Sequence, residues 1–338
     1  MKESADKTHV DSNASHSVNG WNFQAGAGII LMLDNVKDFI SMKMEGASQD
    51  IELTTKFGKI YAQAKAVAQI GDKSTASDKL SEALRTLSQA SKNNDATKLI
   101  YITNITNPLS SKISTAFEYG HSYDFSVLPT DAQAKIRKKT DEDFPVDKFQ
   151  VRIIRFFGEG ENKFTSVKDR ISEFLREAMD DPTYSQRVLE RWFTTFMINA
   201  SDKPINQKSF ELTKKEIILP IIVVVIDRQV NESDFSKVCD HDNYDEVCQG
   251  FRDMIDRNVC DYEFVSAVLG DYLNKRSNST SKSKYRYDYV INEWKHYEPQ
   301  FNVIKDVETR EAVVKLLLLT VIMQSRKIHA IKEATNLQ

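Results

Sequence analysis

The stretch from Asp50 to Lys65 constrains this fold more than any other. Two short segments with strand character, Asp50 to Thr54 and Lys59 to Ala64, flank a turn containing Gly58, a pattern that predicts a β-hairpin. Residues two apart on a strand project to the same side, so Gln63 and Lys65 face one site together. If the chain reverses around Phe57 and Gly58, Asp50 lies approximately opposite Gln63.

The elements around this hairpin suggest an α/β domain. Phe23, Ala27, Ile30 and Leu31 share one face of a predicted helix from Asn22 to about Asp38, with Gln24 in its first turn. Leu80, Ala83, Leu84 and Leu87 mark a second, amphipathic helix. Leu99 to Thr103 is a β-branched and aromatic run suited to a buried strand. A further extended segment, Val151 to Phe157, precedes a helix with Val167, Ile171, Phe174 and Leu175 on its apolar face and a stop near Asp180-Asp181-Pro182.

Beyond Asp181 the sequence turns mainly helical: Tyr184 to Asn199, Asn243 to Arg257, Tyr262 to Lys275 and Asp306 to Thr335 carry helical apolar spacing. Ile217 to Ile226 reads two ways: Thr213 and Glu216 resemble a helix cap, whereas the β-branched run after Pro220 favours a strand, and a helix bent at Pro220 is preferred. Asn274 to Lys284 reads as a cationic loop. The expected organisation is a flexible segment 1–19, an α/β domain 20–181 and a helical domain 183–338.

A length of 338 residues suits two domains. A net charge of −3 offers phosphate no global attraction, so nucleic-acid contact requires a local cationic surface. Lys135, Arg137, Lys138 and Lys139 are the densest such cluster of the first half, but Asp141, Glu142 and Asp143 follow at once; a solvated loop and a DNA-phosphate track both fit. The first twenty residues hold no apolar stretch, three cysteines are too few for a disulfide framework, and Ile217 to Ile226 falls short of the roughly 20 residues that span a bilayer. The expectation is a soluble cytoplasmic protein with no membrane contact.

Hydrolysis of a phosphodiester needs a divalent cation that polarises the phosphate and acidifies a water, with a group that orients that water. The Asp50 carboxylate, the Gln63 amide oxygen and the Ala64 carbonyl are oxygen donors suited to Mg²⁺ or Mn²⁺, and Lys65 would face the water or the phosphate. Spacing alone is weak evidence, since Gln-x-Lys on a strand is usually a solvated edge.

The order of elements adds to it. A helix carrying a polar residue, a hairpin bearing Asp and Gln-x-Lys, then helix and strand, resembles the PD-(D/E)xK nuclease core, in a variant with Gln for Glu. Gly20-Trp-Asn-Phe-Gln24, Glu45-Gly, Gln49-Asp50-Ile51-Glu52, Tyr61-Ala-Gln63-Ala-Lys65 and Ile102-Thr-Asn-Ile-Thr-Asn107-Pro108 resemble the double-stranded DNA endonuclease domain of the CD-NTase-associated endonucleases over about residues 18–180. Arg191-Trp192 and Leu212-Thr-Lys-Lys-Glu216-Ile-Ile-Leu-Pro220 resemble instead the helical region of nuclease subunits in ABC-three-component, Lamassu-type antiphage systems.

That resemblance implies a catalytic set of Asp50, Gln63, Lys65 and Gln24, with Glu45 or Glu52 as a second carboxylate. It implies a DNA endonuclease regulated by an SMC-like ATPase and a third small subunit. Cutting both strands of a duplex needs two opposed sites, so the active form is expected to be at least a dimer. Two rival readings stand beside it: a catalytically silent DNA-binding scaffold, and a nuclease gated by a cyclic oligonucleotide.

Other features invite chemistry less. Cys239, His241 and Cys248 are potential zinc ligands, but their spacing matches no standard finger, and free cysteines are the commoner explanation. Gly158-Glu-Gly160 lacks the rest of a nucleotide loop and reads as a turn. The helix from Asp306, apolar around most of its circumference, must be buried in its own domain or against another subunit.

Overall fold

The computed structural model describes residues 14–44, 49–69, 75–109, 117–201, 210–227, 230–240, 244–275 and 281–337. The chain divides into two compact units, one formed by Met1–Arg170 with Thr195–Leu212 and the other by Ile171–Thr194 with Thr213–Gln338. The Asp180-Asp181-Pro182 break lies inside the second unit, where Asp180 takes a left-handed φ of 57° after the last helical turn.

The first unit is mixed α/β. Its elements run α1 (Ala14–Asp34), β1 (Phe39–Met44), β2 (Ile51–Thr55), β3 (Gly58–Lys65), α2 (Ala76–Ala90), β4 (Ala96–Thr103), β5 (Ser122–Asp124), α3 (Thr130–Lys139), β6 (Phe149–Ile153) and α4 (Thr165–Met179), the last shared in sequence with the second unit. With β7 (Phe210–Thr213) they give a seven-stranded mixed sheet in the order β5-β6-β4-β3-β2-β1-β7. Strand β2 runs antiparallel to both neighbours, whereas β3, β4 and β6 are mutually parallel.

The hairpin forms as its sequence requires. Gly58 has φ +128°, and a Cβ there would sit 2.5 Å from the Asp95 carbonyl oxygen, so both conformation and space demand glycine. The Thr55 hydroxyl closes the turn by donating to the Gly58 carbonyl at 2.8 Å and accepting from the Phe57 N–H. The resulting register sets Ile51 opposite Ala62 and Glu52 opposite Tyr61.

Alternation assigns the two faces. Tyr61, Leu99, Tyr101, Phe149 and Val151 share one hydrophobic cluster with Leu80, Leu84 and Leu87 of α2 and with Ala132 and Ile136 of α3. Each fully buried leucine contributes about 2 kcal/mol, enough to hold α2 across this face. On the other face α1 packs over β1, where a Cβ on Gly28 would meet the Met44 and Met42 sulfurs at 3.1 and 3.4 Å. The unit is therefore a sheet between helical layers.

Several expectations need correcting. Helix α1 starts at Ala14, so residues 14–19 are helical rather than a lead-in. Strand β1 fills the gap ahead of the hairpin, and β7 adds a strand from a region expected to be helical. The Lys135 cluster lies on helix α3, not in a loop.

The second unit is helical: α5 (Ser185–Ser201, which passes into the first unit at Thr195), α6 (Lys214–Ile226), α7 (Glu232–Phe235), α8 (Tyr244–Gly250), α9 (Arg252–Val259), α10 (Tyr262–Asn274), α11 (Lys282–Tyr297), α12 (Val307–Met323) and α13 (Ser325–Thr335). The ambiguity at Pro220 resolves to helix α6, because Thr213 and Glu216 form a reciprocal capping box that fixes its first turn. The segment from Asp306 breaks at Gln324 into α12 and α13, and α11 occupies a stretch read only as polar loop at its start. Leu316 to Leu319, Val321 and Ile322 are buried around the whole of α12. Among the described residues no helix is long and apolar enough to cross a membrane.

Candidate active site at the sheet edge

Asp50 immediately precedes β2, and Lys65 is the last residue of β3. Since β2 is antiparallel to β3, both lie at the edge where the parallel strands end, the side of an open α/β sheet that usually takes ligands. The Lys65 Nζ stands 3.6 Å from Asp50 Oδ2 and 3.1 Å from Glu82 Oε1 on α2. The Ala64 N–H donates to Asp50 Oδ2 at 2.9 Å. In a strand the carbonyl of a residue leaves on the same side as its N–H, so the Ala64 carbonyl also heads toward the Asp50 side.

Gln63 is buried on the face covered by α2, and its amide belongs to a relay. The Thr86 carbonyl can only accept; it receives Gln49 Nε2 at 2.9 Å, which turns Gln49 Oε1 toward Gln63. Gln63 Nε2 donates to that oxygen at 3.0 Å, leaving Gln63 Oε1 directed away from Gln49. Both glutamines are nearly inaccessible, at 3% for Gln49 and 2% for Gln63.

The environment raises the Asp50 pKa. Burial is the largest cause, the Lys65 charge and the Ala64 N–H pull it back down, and the Glu82 charge adds to the rise. Beneath the site the side chain of Asn104 braces the backbone: its Oδ1 accepts from the Val67 N–H at 2.8 Å, and its Nδ2 donates to the carbonyls of Val67 and Phe156 at 2.8 and 3.2 Å. This ties the segment leaving β3 to the segment leaving β6.

The structure thus brings Asp50, the Ala64 N–H and Lys65 to one place, with Gln63 on the same sheet face but bonded to Gln49. Gln24 is not among them: α1 covers the opposite face of the sheet, where the Gln24 Oε1 is buried with no hydrogen-bond partner. Glu52 shares the face of Asp50 one pleat further along β2 but pairs with Lys59 at 3.0 Å. Glu45 lies outside the described residues. Sequence reasoning missed Glu82 and the role of Gln49; Glu82 follows Lys65 at a separation that carries no motif, and only the packing of α2 over the sheet brings it there.

A divalent cation would find only part of its shell in this donor set. Among the described residues no group of three or more His, Cys, Asp or Glu gathers to cage a metal, but Mg²⁺ is commonly bound by one or two carboxylates with water and substrate phosphate completing its shell. Cys239, Cys248 and Cys260 are free thiols, and His241 lies outside the described residues.

Of the cationic cluster, Lys139 donates to the Ser81 hydroxyl, one residue from Glu82, while Arg137 stacks over Phe125 at 5.0 Å. Lys138 is exposed. Burial, and then the Lys139 charge, lower the Lys135 pKa. The cluster is therefore a helix surface beside α2. The chain matches no family model, no curated protein and no solved structure.

Proposed function

We propose that this chain is a metal-dependent endonuclease that cleaves double-stranded DNA. The observation that carries the reading is the meeting of the Asp50 carboxylate, the Lys65 ammonium and the Ala64 backbone at the ends of the parallel strands, with the Gln63 amide on the same face. The order α1, β1, the β2-β3 hairpin, α2 and β4 supports a PD-(D/E)xK-like core. A cation bound by Asp50, Gln63 Oε1 and the Ala64 carbonyl would polarise the phosphate and acidify a water. Lys65 places its charge where negative charge grows on the phosphate. The Thr86-Gln49-Gln63 relay turns the Gln63 NH₂ group toward Gln49 and its oxygen away from it, the orientation a cation ligand at position 63 needs.

Helix α3 is the part of this reading that faces the duplex, with Lys138 and its neighbours as phosphate contacts. Two-strand cleavage calls for at least a dimer, and the resemblance of the second half suggests control by an SMC-like ATPase with a third subunit in antiphage defence. The scaffold reading draws on Gln63, a neutral amide where the motif has a carboxylate. Gating by a cyclic oligonucleotide fits less well. A cavity of about 290 Å³ in the helical unit is lined by Asp227, Asp245 and Asp256 with Arg252, and one of about 410 Å³ that shares residues with it sets Arg191, Arg252 and Arg257 against Asp227, Asp253 and Asp256, so neither offers a polyanion a net cationic lining.

Incubation of supercoiled plasmid with the protein and Mg²⁺ or Mn²⁺, beside Asp50→Ala and Lys65→Ala, tests the proposal. Linear product from the unmodified chain alone supports it. Equal cutting by all three removes this site, and binding without cutting under every metal and assembly state favours the scaffold.

A further inference from the structure

Glu82 is half-exposed, at 52% for its side chain, whereas Asp50 and Lys65 are largely enclosed at 16% and 19%. An isolated surface ion pair would explain its contact with Lys65 and would contribute little. Two observations point further. The single Lys65 nitrogen bridges Asp50 and Glu82, so a cation already stands between two carboxylates. On the sheet face that α2 covers, the Tyr101 hydroxyl is fully buried and lies beside the Thr103 hydroxyl without making a hydrogen bond of normal geometry. Tyr101 is the strand neighbour of Gln63, and burial first, then the Glu82 charge, raise its pKa, with the Thr103 hydroxyl pulling the other way. A buried hydroxyl left unpaired costs roughly 1–3 kcal/mol, and a group that arrives with a ligand would satisfy it.

We propose that Glu82 is the second acidic ligand of the cation site, and that Lys65 holds the two carboxylates as an internal counter-ion until a divalent ion takes its place between them. The inference rests on the nuclease reading for its purpose but not for its test. Exposure leaves the Glu82 side chain free to swing toward Asp50, which bonds of about 2.1 Å to Mg²⁺ require. Glu82 thereby fills the role left open by Glu52, which is engaged with Lys59.

Titration of the full chain with Mn²⁺ alone, reading free Mn²⁺ by electron paramagnetic resonance, tests this beside plasmid cleavage. The unmodified chain should bind, Glu82→Gln should bind at least about tenfold more weakly, Glu82→Asp should recover part of the loss, and Asp50→Asn should abolish binding. Circular dichroism melts confirm that each variant is folded. Mn²⁺ affinity unchanged in a folded Glu82→Gln overturns the assignment, as does absence of binding to the unmodified chain. Glu82-dependent binding without DNA cleavage keeps the ligand and removes the nuclease. Cleavage by a Glu82→Gln variant whose binding is unchanged does the reverse.

Discussion

Strand β3 carries two lysines, each set between two carboxylates, and the pair behave in opposite ways. At the hairpin end Lys59 meets Glu52 at 3.0 Å and Asp95 at 3.3 Å. At the other end Lys65 meets Glu82 at 3.1 Å and Asp50 at 3.6 Å. The hydrogen bond to Glu52 is the main reason that the Lys59 pKa lies above its ordinary value, with burial pulling the other way. That cluster is satisfied: Tyr61 donates to Asp95 at 3.3 Å and accepts from Asn93 at 3.1 Å. At Lys65 the balance falls on the acid instead, since burial pushes Asp50 up despite the neighbouring ammonium. The two clusters carry the same formal charge, and what separates them is the burial of Asp50, the kind of perturbed carboxylate that marks a candidate site.

The largest expected contrast is in catalysis. Lys65→Ala should lower plasmid cleavage by roughly 10²–10⁴-fold, whereas Lys59→Ala should cut like the unmodified chain. Equal losses in both variants would make the two clusters equivalent and erase the distinction.

Next comes the amide at position 63. Restoring the motif glutamate with Gln63→Glu should lower stability by roughly 2–4 kcal/mol without improving cleavage. A carboxylate oxygen there would face Gln49 Oε1, and reversing Gln49 would turn its oxygen on the Thr86 carbonyl. Urea unfolding measures the loss, and a variant as stable as its parent but faster at cutting would refute the relay.

Asp50 gives a smaller effect with a definite pH dependence. Its folded pKa is raised, so the protonated form is the one the fold prefers. The contribution to stability is fully present below the ordinary value of 3.8 and is lost as pH rises through the raised value. At neutral pH the ionised group is a net burden, and Asp50→Asn should melt higher than the parent. The gap should close as pH falls into the range where Asp50 takes up its proton; a gap constant across that range would contradict the raised pKa.

The smallest effect belongs to Lys59→Met, expected to cost about 1 kcal/mol or less and to cost less still in high salt. A loss unaffected by salt would mean that Lys59 acts through packing of its stem.

Much of this contrast was legible in the residues, and the reasons are local. Gly58 demands its turn, and from the turn the period of two sets Gln63 and Lys65 on one face with Asp50 approximately opposite. The leucines of α2 declare their buried stripe in the same way. What could not be read is set by distant packing. Glu82 is one charged residue on the polar side of an amphipathic helix, and its meeting with Lys65 depends on how α2 crosses the sheet. The position of Gln24 depends on which face α1 covers, which its apolar spacing does not state. Strand β1 alternates poorly, with both Ser41 and Met42 buried, and so escaped the period-two pattern. The break at Gln324 leaves no proline or glycine behind, so the run from Asp306 looked like one helix.

The most direct measurement is anomalous diffraction from crystals of the full chain grown with a short DNA duplex and Mn²⁺. A manganese peak in bonding contact with Asp50 and the Gln63 amide oxygen, with a duplex phosphate beside it, is the predicted result. Manganese bound elsewhere with this sheet edge bare, or a duplex lying away from it, would contradict the assignment.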